Sequence, residues 1–184
     1  MRLHETITSQ DSQHQELALD EVMITRYIAD TFDGVDVVFA SGETGAPELA
    51  WGDTFFSYDP DRDLEPKHRF PFATIVTKDY GDFDRASNLN RPGVFRLNIG
   101  ISKDTYRSLF GPQPPPPGAS GVVDTGHDFT ALDQLMPHPV YAPQSWVCVL
   151  NPSEATFQAV RPLLAEAYEL AVRRYAKVRP AGES

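Results

Sequence analysis

The sequence has a single cysteine, Cys148, among its 184 residues, which excludes an intrachain disulfide and any metal site built from several cysteines. It shows no signal peptide and no apolar run long enough to span a membrane, so we expect a cytoplasmic protein with no membrane partner. Basic residues are scarce, because 16 Lys and Arg stand against 26 Asp and Glu for a net charge of −10. Nucleic-acid-binding proteins normally present a basic surface, so nucleic acid is the least expected partner.

The usual motifs of catalytic and cofactor sites are also missing. The chain has no glycine-rich dinucleotide turn, no phosphate loop, no HExxH helix and no GxSxG turn. His127, Asp128 and His138 could in principle ligate a metal, but their spacing matches no recognised site. The sequence therefore predicts neither a metal nor a cofactor.

Apolar residues alternate in several short segments and recur at helical spacing in others, which predicts one α+β domain. We expect an antiparallel sheet of about four to five strands packed against N- and C-terminal helices. The domain is predicted over residues 19–178, between a polar arm at 1–18 and a tail at 179–184. The predicted strands are 35–40, 54–58, 72–77, 94–101 and 146–150.

Three further segments connect these elements. The long polar loop 78–93 is predicted either to bind a ligand or to cover the sheet. Short helices are predicted at 102–110 and 128–136, each from apolar residues at helical spacing. Between the two helices, 111–126 is rich in proline and glycine, which is typical of an exposed loop.

The C-terminal helix begins with a sequence typical of a helix start. Asn151 is predicted as the N-cap, Pro152 suits the first helical position, and Glu154 completes a capping box. Pro162 lies inside the helical pattern and lacks the N–H of a helical residue. We therefore expect a kink near 158–161 or two consecutive helices that meet there.

The segment 94–101 is the most informative strand because its two faces differ in character. Arg96 and Asn98 lie on one face, where side chains two residues apart can contact the same ligand. The arginine fork suits an anionic or carbonyl group, and asparagine both donates and accepts hydrogen bonds. The alternative is a structural ion pair between Arg96 and an acidic residue of a helix packed on that face. The residues of the other face are predicted to enter the core: Phe95, Leu97, Ile99 and Ile101.

His138 is flanked by prolines on both sides, which hold its backbone at a fixed angle. With an ordinary pKa of about 6.5, it is the best candidate in the chain for a general acid or base. Tyr141, Ser145 and Trp146 follow closely and are predicted to bind the substrate, with the two aromatic rings as a wall. The alternative is that His138 only forms a hydrogen bond with a loop carbonyl.

Two functions of different class follow from these residues. The leading hypothesis is a small-molecule-binding protein, in its most specific form an acid–base enzyme of bacterial specialised metabolism that uses no metal. It requires Arg96 and His138 to face one common cavity. The alternative is a non-catalytic protein-interaction module, a homodimer, in which the same residues are structural. Nucleic-acid binding ranks last because the chain is acidic.

The chain resembles an uncharacterised, mostly actinobacterial family that is known only as a domain of unknown function. More distantly, its order of helices and strands is similar to the MmcQ/YjbR-like fold, which implies the same α+β architecture. Members of that group carry a DNA-binding label, which the acidic charge of this chain opposes. This chain differs by a longer N-terminal arm and by the stretch 43–52. The segments that carry the family resemblance are FDGVDVV (32–38), DTFFSYDPDRDL (53–64), FPFATIVTKD (70–79), RPGVFRLNIGIS (91–102) and PHPVYAPQSWVCVLNPSEATF (137–157).

Overall fold

The computed structural model describes residues 19–179, so the predicted arm at 1–18 and nearly all of the predicted tail lie outside the described residues. Three helices and six strands form the regular structure of this part of the chain. The helices are α1 (Glu21–Thr31), α2 (Lys103–Phe110) and α3 (Glu154–Val178). The strands are β1 (Val35–Phe39), β2 (Thr54–Tyr58), β3 (Ala73–Val76), β4 (Arg96–Gly100), β5 (Met136–Pro137) and β6 (Trp146–Leu150).

The strands form one antiparallel sheet in the order β1-β2-β3-β4-β6-β5. The α+β class and the antiparallel sheet are therefore confirmed. The sheet has six strands instead of the predicted four to five, because the two-residue strand β5 pairs with β6. None of the described helices combines the length and the apolar character that crossing a membrane requires.

The two terminal helices cover one face of the sheet. The ring of Phe157 on α3 lies 5.2 Å from that of Tyr27 on α1, edge to face, and the side chain of Leu97 on β4 is fully buried beneath the helices. Each such buried aliphatic side chain contributes about 1.5–3 kcal/mol to folding. Since side chains alternate along a strand, Arg96 and Asn98 must lie on the other face, as the sequence predicts.

The start of α3 differs from the prediction, because Ser153 is the N-cap and accepts a hydrogen bond from Thr156 N at 3.2 Å. Asn151 has a left-handed backbone, with φ of 40°, and its side chain bonds to the chain before β4. Its Oδ1 accepts from Phe95 N at 2.9 Å and its Nδ2 donates to Gly93 O at 2.8 Å. Asn151 therefore holds two strands together and is not free to cap the helix.

Of the two alternatives predicted at Pro162, a kink or two consecutive helices, the second is wrong, since α3 continues through the proline from Glu154 to Val178. A proline inside a helix costs about 3 kcal/mol or more. Here Val160 and Leu164 are buried against the sheet on either side of Pro162. Packing on both sides of the proline offsets its cost and keeps the helix continuous.

The predicted helix at 128–136 is also wrong, because the segment forms turns that lead into β5. Asp128 Oδ1 accepts a hydrogen bond from Thr130 N at 3.0 Å, which closes a local turn. Asp133 has φ of 56° and its N–H donates to Leu150 O at 2.7 Å. The left-handed backbone of Asp133 and its bond to β6 are incompatible with a helix, so this contact outweighs the helical spacing of the apolar residues.

Candidate functional site

Arg96 is fully buried on the sheet face that the helices leave uncovered. Side chains of three adjacent strands lie around it, because β4 pairs with β3 on one side and β6 on the other. Asn98 is in register with Thr74 of β3 and with Cys148 of β6, and Asn98 Nδ2 donates to Thr74 Oγ1 at 3.0 Å. Polar side chains therefore form a patch at the centre of the sheet.

The guanidinium of Arg96 forms a bidentate ion pair with Asp84. Its Nη1 donates to Asp84 Oδ1 at 3.1 Å and to Ser87 Oγ at 2.8 Å, and its Nη2 donates to Asp84 Oδ2 at 2.5 Å. Its Nε donates to Asn98 Oδ1 at 2.8 Å. Burial alone lowers the pKa of Arg96, but the hydrogen bonds and charge of Asp84 outweigh burial and raise it. Arg96 is therefore a permanent cation with a paired carboxylate.

Asp84 belongs to the loop between β3 and β4. The buried carboxylate of Asp53 holds this loop in place through hydrogen bonds. The Tyr80 hydroxyl donates to Asp53 Oδ2, and Thr77 N donates to Asp53 Oδ1 at 2.8 Å. Burial raises the pKa of Asp53, and the hydrogen bonds from Tyr80 and Thr77 oppose this only in part. The backbone of Tyr80 then donates to Asp84 O at 2.9 Å, which fixes the position of the carboxylate that meets Arg96.

His138 lies beside this ion pair and is buried. Its Nδ1 accepts hydrogen bonds from Val140 N and Tyr141 N, both at 3.0 Å. Its Nε2 lies 3.2 Å from Arg96 Nη2 and 4.0 Å from Asp84 Oδ2. Because two backbone N–H groups point at Nδ1 and a single guanidinium N–H lies near Nε2, the pattern assigns the proton of the neutral ring to Nε2, which then forms no hydrogen bond with Arg96.

The ionisation of His138 differs from the sequence-based expectation. Burial, and next the positive charge of Arg96, lower its pKa well below the usual value. The ring is therefore neutral at pH 7 and offers an N–H donor at Nε2. The alternative interpretation gave His138 a bond to a loop carbonyl, whereas the structure shows it accepting from loop N–H groups.

A cavity of about 680 Å³ lies over these groups, and we call it the network pocket. Its floor is polar and its walls are largely aromatic. The ring of Tyr141 lies 5.0 Å from that of His138 and 6.1 Å from that of Phe83. The lining residues of the network pocket are Phe55, Phe70, Pro71, Thr74, Val76, Tyr80, Phe83, Asp84, Arg96, Asn98, His138, Tyr141, Gln144 and Trp146.

The network pocket brings together all but one of the predicted site residues. The exception is Ser145, which does not line it. Ser145 has φ of 66°, ends a turn of 3₁₀ helix and accepts a hydrogen bond from Gln113 Nε2 at 3.1 Å through its Oγ. Its hydroxyl thus ties down the proline-rich loop. The predicted residues that do line the network pocket are Arg96, Asn98, His138, Tyr141 and Trp146.

The sequence analysis missed several residues of the site. Phe55 and Thr74 lie at positions of β2 and β3 that alternation places on the same face as Asn98, so the strand pattern could have identified them. Asp84 and Ser87 lie in the irregular loop 78–93, where no periodicity distinguishes them from neighbouring polar residues. That loop was predicted either to bind a ligand or to cover the sheet, and in the structure it contributes to the network pocket while lying over the sheet.

The structural ion pair and the ligand pocket were predicted as alternatives, and the structure contains features of both. Arg96 is paired with a carboxylate, which comes from a loop and not from a helix. Arg96 and His138 nevertheless line one cavity.

Comparison with known proteins places the chain in a family without assigning it an activity. The model of a family described as "Family of unknown function (DUF6194)" matches residues 19–180, and the chain belongs to this family. The predicted resemblance to a domain of unknown function is thereby confirmed. Neither a curated protein nor a solved structure matches the chain, so the likeness to the MmcQ/YjbR-like fold stays a prediction.

Proposed function

We propose a function from the site itself, because family membership assigns none: the protein binds a small organic molecule in the network pocket. One observation carries this proposal. A buried ion pair and its hydrogen-bonded neighbours form the floor of a cavity of about 680 Å³ with aromatic walls. Ligand sites typically combine such apolar walls with a few convergent polar groups.

The energetics of the buried pair support a functional interpretation. A buried ion pair contributes little net stability, and apolar residues of similar volume often replace one without loss. Arg96 is flanked on its own sheet face by the apolar residues Val76 and Leu150, so an apolar side chain would suit this position. Retaining a buried charge pair beneath a cavity is consistent with a role in orienting a ligand.

The more specific proposal is an enzyme that uses no metal, with His138 as a hydrogen-bond donor in place of the general acid or base that the sequence predicts. Nδ1 of the ring accepts hydrogen bonds from two backbone N–H groups. Nε2, the other ring nitrogen, faces Arg96 and Asp84. A neutral imidazole of this kind polarises a carbonyl through its N–H more readily than it supplies a proton. We therefore assign His138 the role of a hydrogen-bond donor to a ligand carbonyl.

A thermal-shift screen with uncharged aromatic metabolites tests the binding proposal, because a ligand of the folded state raises the melting temperature. At a concentration of about 100 times Kd, the gain is about 2.7 kcal/mol. Phe83→Ala removes one wall of the network pocket at a half-exposed position and should abolish the shift. Phe39→Ala, at an exposed position outside this pocket, is the matched control and should keep it. Equal shifts in all three proteins would contradict the proposal.

The interaction module remains a second candidate, favoured by the exposed edge of the sheet. Among the described residues, β1 pairs only with β2, so its other edge is free. Phe39 on β1 and Val22 on α1 are 61% and 63% exposed and line a second cavity. Two copies could pair their β1 edges around a twofold axis. Sedimentation of the wild type and of Phe39→Ser tests this, because a dimer formed there should dissociate in the variant.

A further inference from the structure

We infer that the ligand of the network pocket carries an uncharged group that both donates and accepts hydrogen bonds, as an amide or lactam does, on a flat aromatic body. The inference rests on the proposed binding function and specifies the chemical class of the ligand. It follows from how the Arg96–Asp84 pair is buried and from the donors and acceptors left around it.

Among the described residues that line the network pocket, an anionic group finds no free cation. Four contacts from Arg96 reach Asp84, Ser87 and Asn98. The remaining N–H of Nη2 is next to the His138 ring, 3.2 Å from Nε2. Because Nε2 carries a hydrogen and cannot accept this fifth N–H group, the group stays unpaired, but both oxygens of Asp84 already balance the guanidinium charge. A ligand carboxylate or phosphate therefore meets no uncompensated positive charge.

The member of the pair that is closer to the cavity is the carboxylate. The side chain of Asp84 is 8% exposed, whereas that of Arg96 is 1% exposed. A ligand anion would therefore meet carboxylate oxygens before it met the guanidinium, and like charges in a site of low dielectric repel strongly. This is the reverse of the arrangement in which an exposed arginine binds an anion.

A cationic group is disfavoured for the complementary reason. Both oxygens of Asp84 already accept from Arg96, at 3.1 and 2.5 Å, so the carboxylate has little uncompensated charge. A ligand ammonium would lie close to the buried guanidinium and would lose its hydration without gaining a free counter-ion. Because the floor is electrically balanced, it suits a ligand that is itself neutral.

The polar groups that remain on the floor complement an amide. Asp84 keeps lone pairs for a ligand N–H, and His138 offers its Nε2–H to a ligand carbonyl. Asn98 has a second Nδ2–H, since the first is used by Thr74 Oγ1 at 3.0 Å. A group with one donor and one acceptor satisfies both sides of this floor, whereas an ether or a ketone satisfies only one.

The walls indicate the aromatic body. The Tyr141 and Phe83 rings are inclined at 58° on one side of the cavity. On another side lies Trp146, which is opposite Gly100 in the neighbouring strand. An ideal Cβ at Gly100 would lie 3.0 Å from the indole, so the glycine allows the ring to lie close against the sheet. Flat rings are the ligand shape that such walls stack against.

Three matched probes test the inference: 2-naphthamide, 2-naphthoate and 2-naphthylmethylamine, each titrated calorimetrically into the protein at pH 7. We expect the amide to bind about tenfold more tightly than either charged probe, since a buried polar group left unpaired costs about 1–3 kcal/mol. Carboxylate or amine binding that equals or exceeds amide binding would overturn the inference and leave the network pocket as a ligand site. If no probe bound, both the inference and the proposed function would be overturned.

A change of selectivity gives an independent test. Asp84→Asn removes the carboxylate that closes the arginine fork, so the variant should bind 2-naphthoate about tenfold more tightly than the wild type does. Asp82→Asn is the matched control, because Asp82 lies in the same loop with a side chain that is 96% exposed, and it should retain the selectivity of the wild type. Unchanged carboxylate affinity in a folded Asp84→Asn variant would overturn the inference. Should that variant not fold, the probe comparison in the wild type still decides.

Discussion

The Nε2 atom of His138 lies 3.2 Å from Nη2 of Arg96, although 42 residues separate them in sequence. The two side chains meet because β5 and β4 pair with opposite edges of β6, and His138 directly follows β5. The functional hypothesis required these groups to face one common cavity, and both line the network pocket. Their roles depend on ionisation, since burial, and next the positive charge of Arg96, lower the pKa of His138 and keep its ring neutral.

Replacing His138 with alanine should destabilise the protein. The variant would leave the N–H groups of Val140 and Tyr141 without their acceptor, and each buried unpaired group costs about 1–3 kcal/mol. A lower melting temperature of this variant therefore does not distinguish a functional from a structural role of His138.

His138→Asn is the matched variant, because its Oδ1 can accept in place of Nδ1 while no group reaches the position of Nε2. It should keep most of the stability and lose ligand binding. Urea unfolding measures the stabilities, and an alanine variant as stable as the wild type would show that the backbone contacts contribute nothing.

Removing Asp84 alone should be more damaging than removing the whole pair. Asp84→Ala leaves a buried guanidinium without its counter-ion, which costs about 3–5 kcal/mol. The double variant Arg96→Met, Asp84→Leu replaces the pair with apolar side chains and should recover much of that loss, but it should not bind the amide probe. Thermal unfolding of both variants checks this. A double variant less stable than Asp84→Ala would indicate that the pair is required for folding.

The sheet and the polar face of β4 could be predicted because side chains in a strand alternate with period two. That rule places Arg96 and Asn98 together whatever surrounds them. Their acidic partner could not be predicted, since Asp79, Asp82 and Asp84 lie within six residues in a loop without periodicity. The anchoring of Tyr80 on Asp53 positions Asp84, and this contact between distant residues has no local pattern.

The ionisation of His138 was beyond prediction for a similar reason. The sequence identified a histidine held between prolines, but a pKa depends on burial and on nearby charge, both of which come from the tertiary structure. Ser145 shows the same limit, because it is adjacent to Trp146 in sequence yet its hydroxyl contacts Gln113 and not the network pocket.

The lowered pKa of His138 predicts a loss of stability on acidification. Below pH 6.5 the unfolded chain binds a proton at this histidine while the folded chain does not. The contribution of His138 is therefore complete above pH 6.5 and is lost as pH falls from there towards the folded-state pKa, with a slope of up to about 1.4 kcal/mol per pH unit.

Asp53, whose pKa is raised by burial, acts in the opposite sense. It binds its proton more readily in the folded state, so acidification through its folded-state pKa adds stability. The difference between wild type and His138→Asn isolates the histidine, because both proteins keep Asp53. Urea unfolding from pH 7 to pH 5 should show a smaller loss in the variant, and parallel curves would exclude His138 as the cause.

Gly100→Ala should narrow the network pocket without unfolding the protein. The new Cβ would lie 3.0 Å from Cε2 and Cζ2 of Trp146, so the indole must move. Gly100 has no positive φ, and alanine suits its backbone.

Because the Trp146 ring is a wall of the network pocket, its displacement should weaken binding of 2-naphthamide about tenfold, and tryptophan fluorescence in a Trp51→Phe background should shift. Gly118→Ala, whose new Cβ would have no atom of the described residues within 4 Å, should change neither. Equal amide affinity in Gly100→Ala and Gly118→Ala would mean that Trp146 does not contact the ligand.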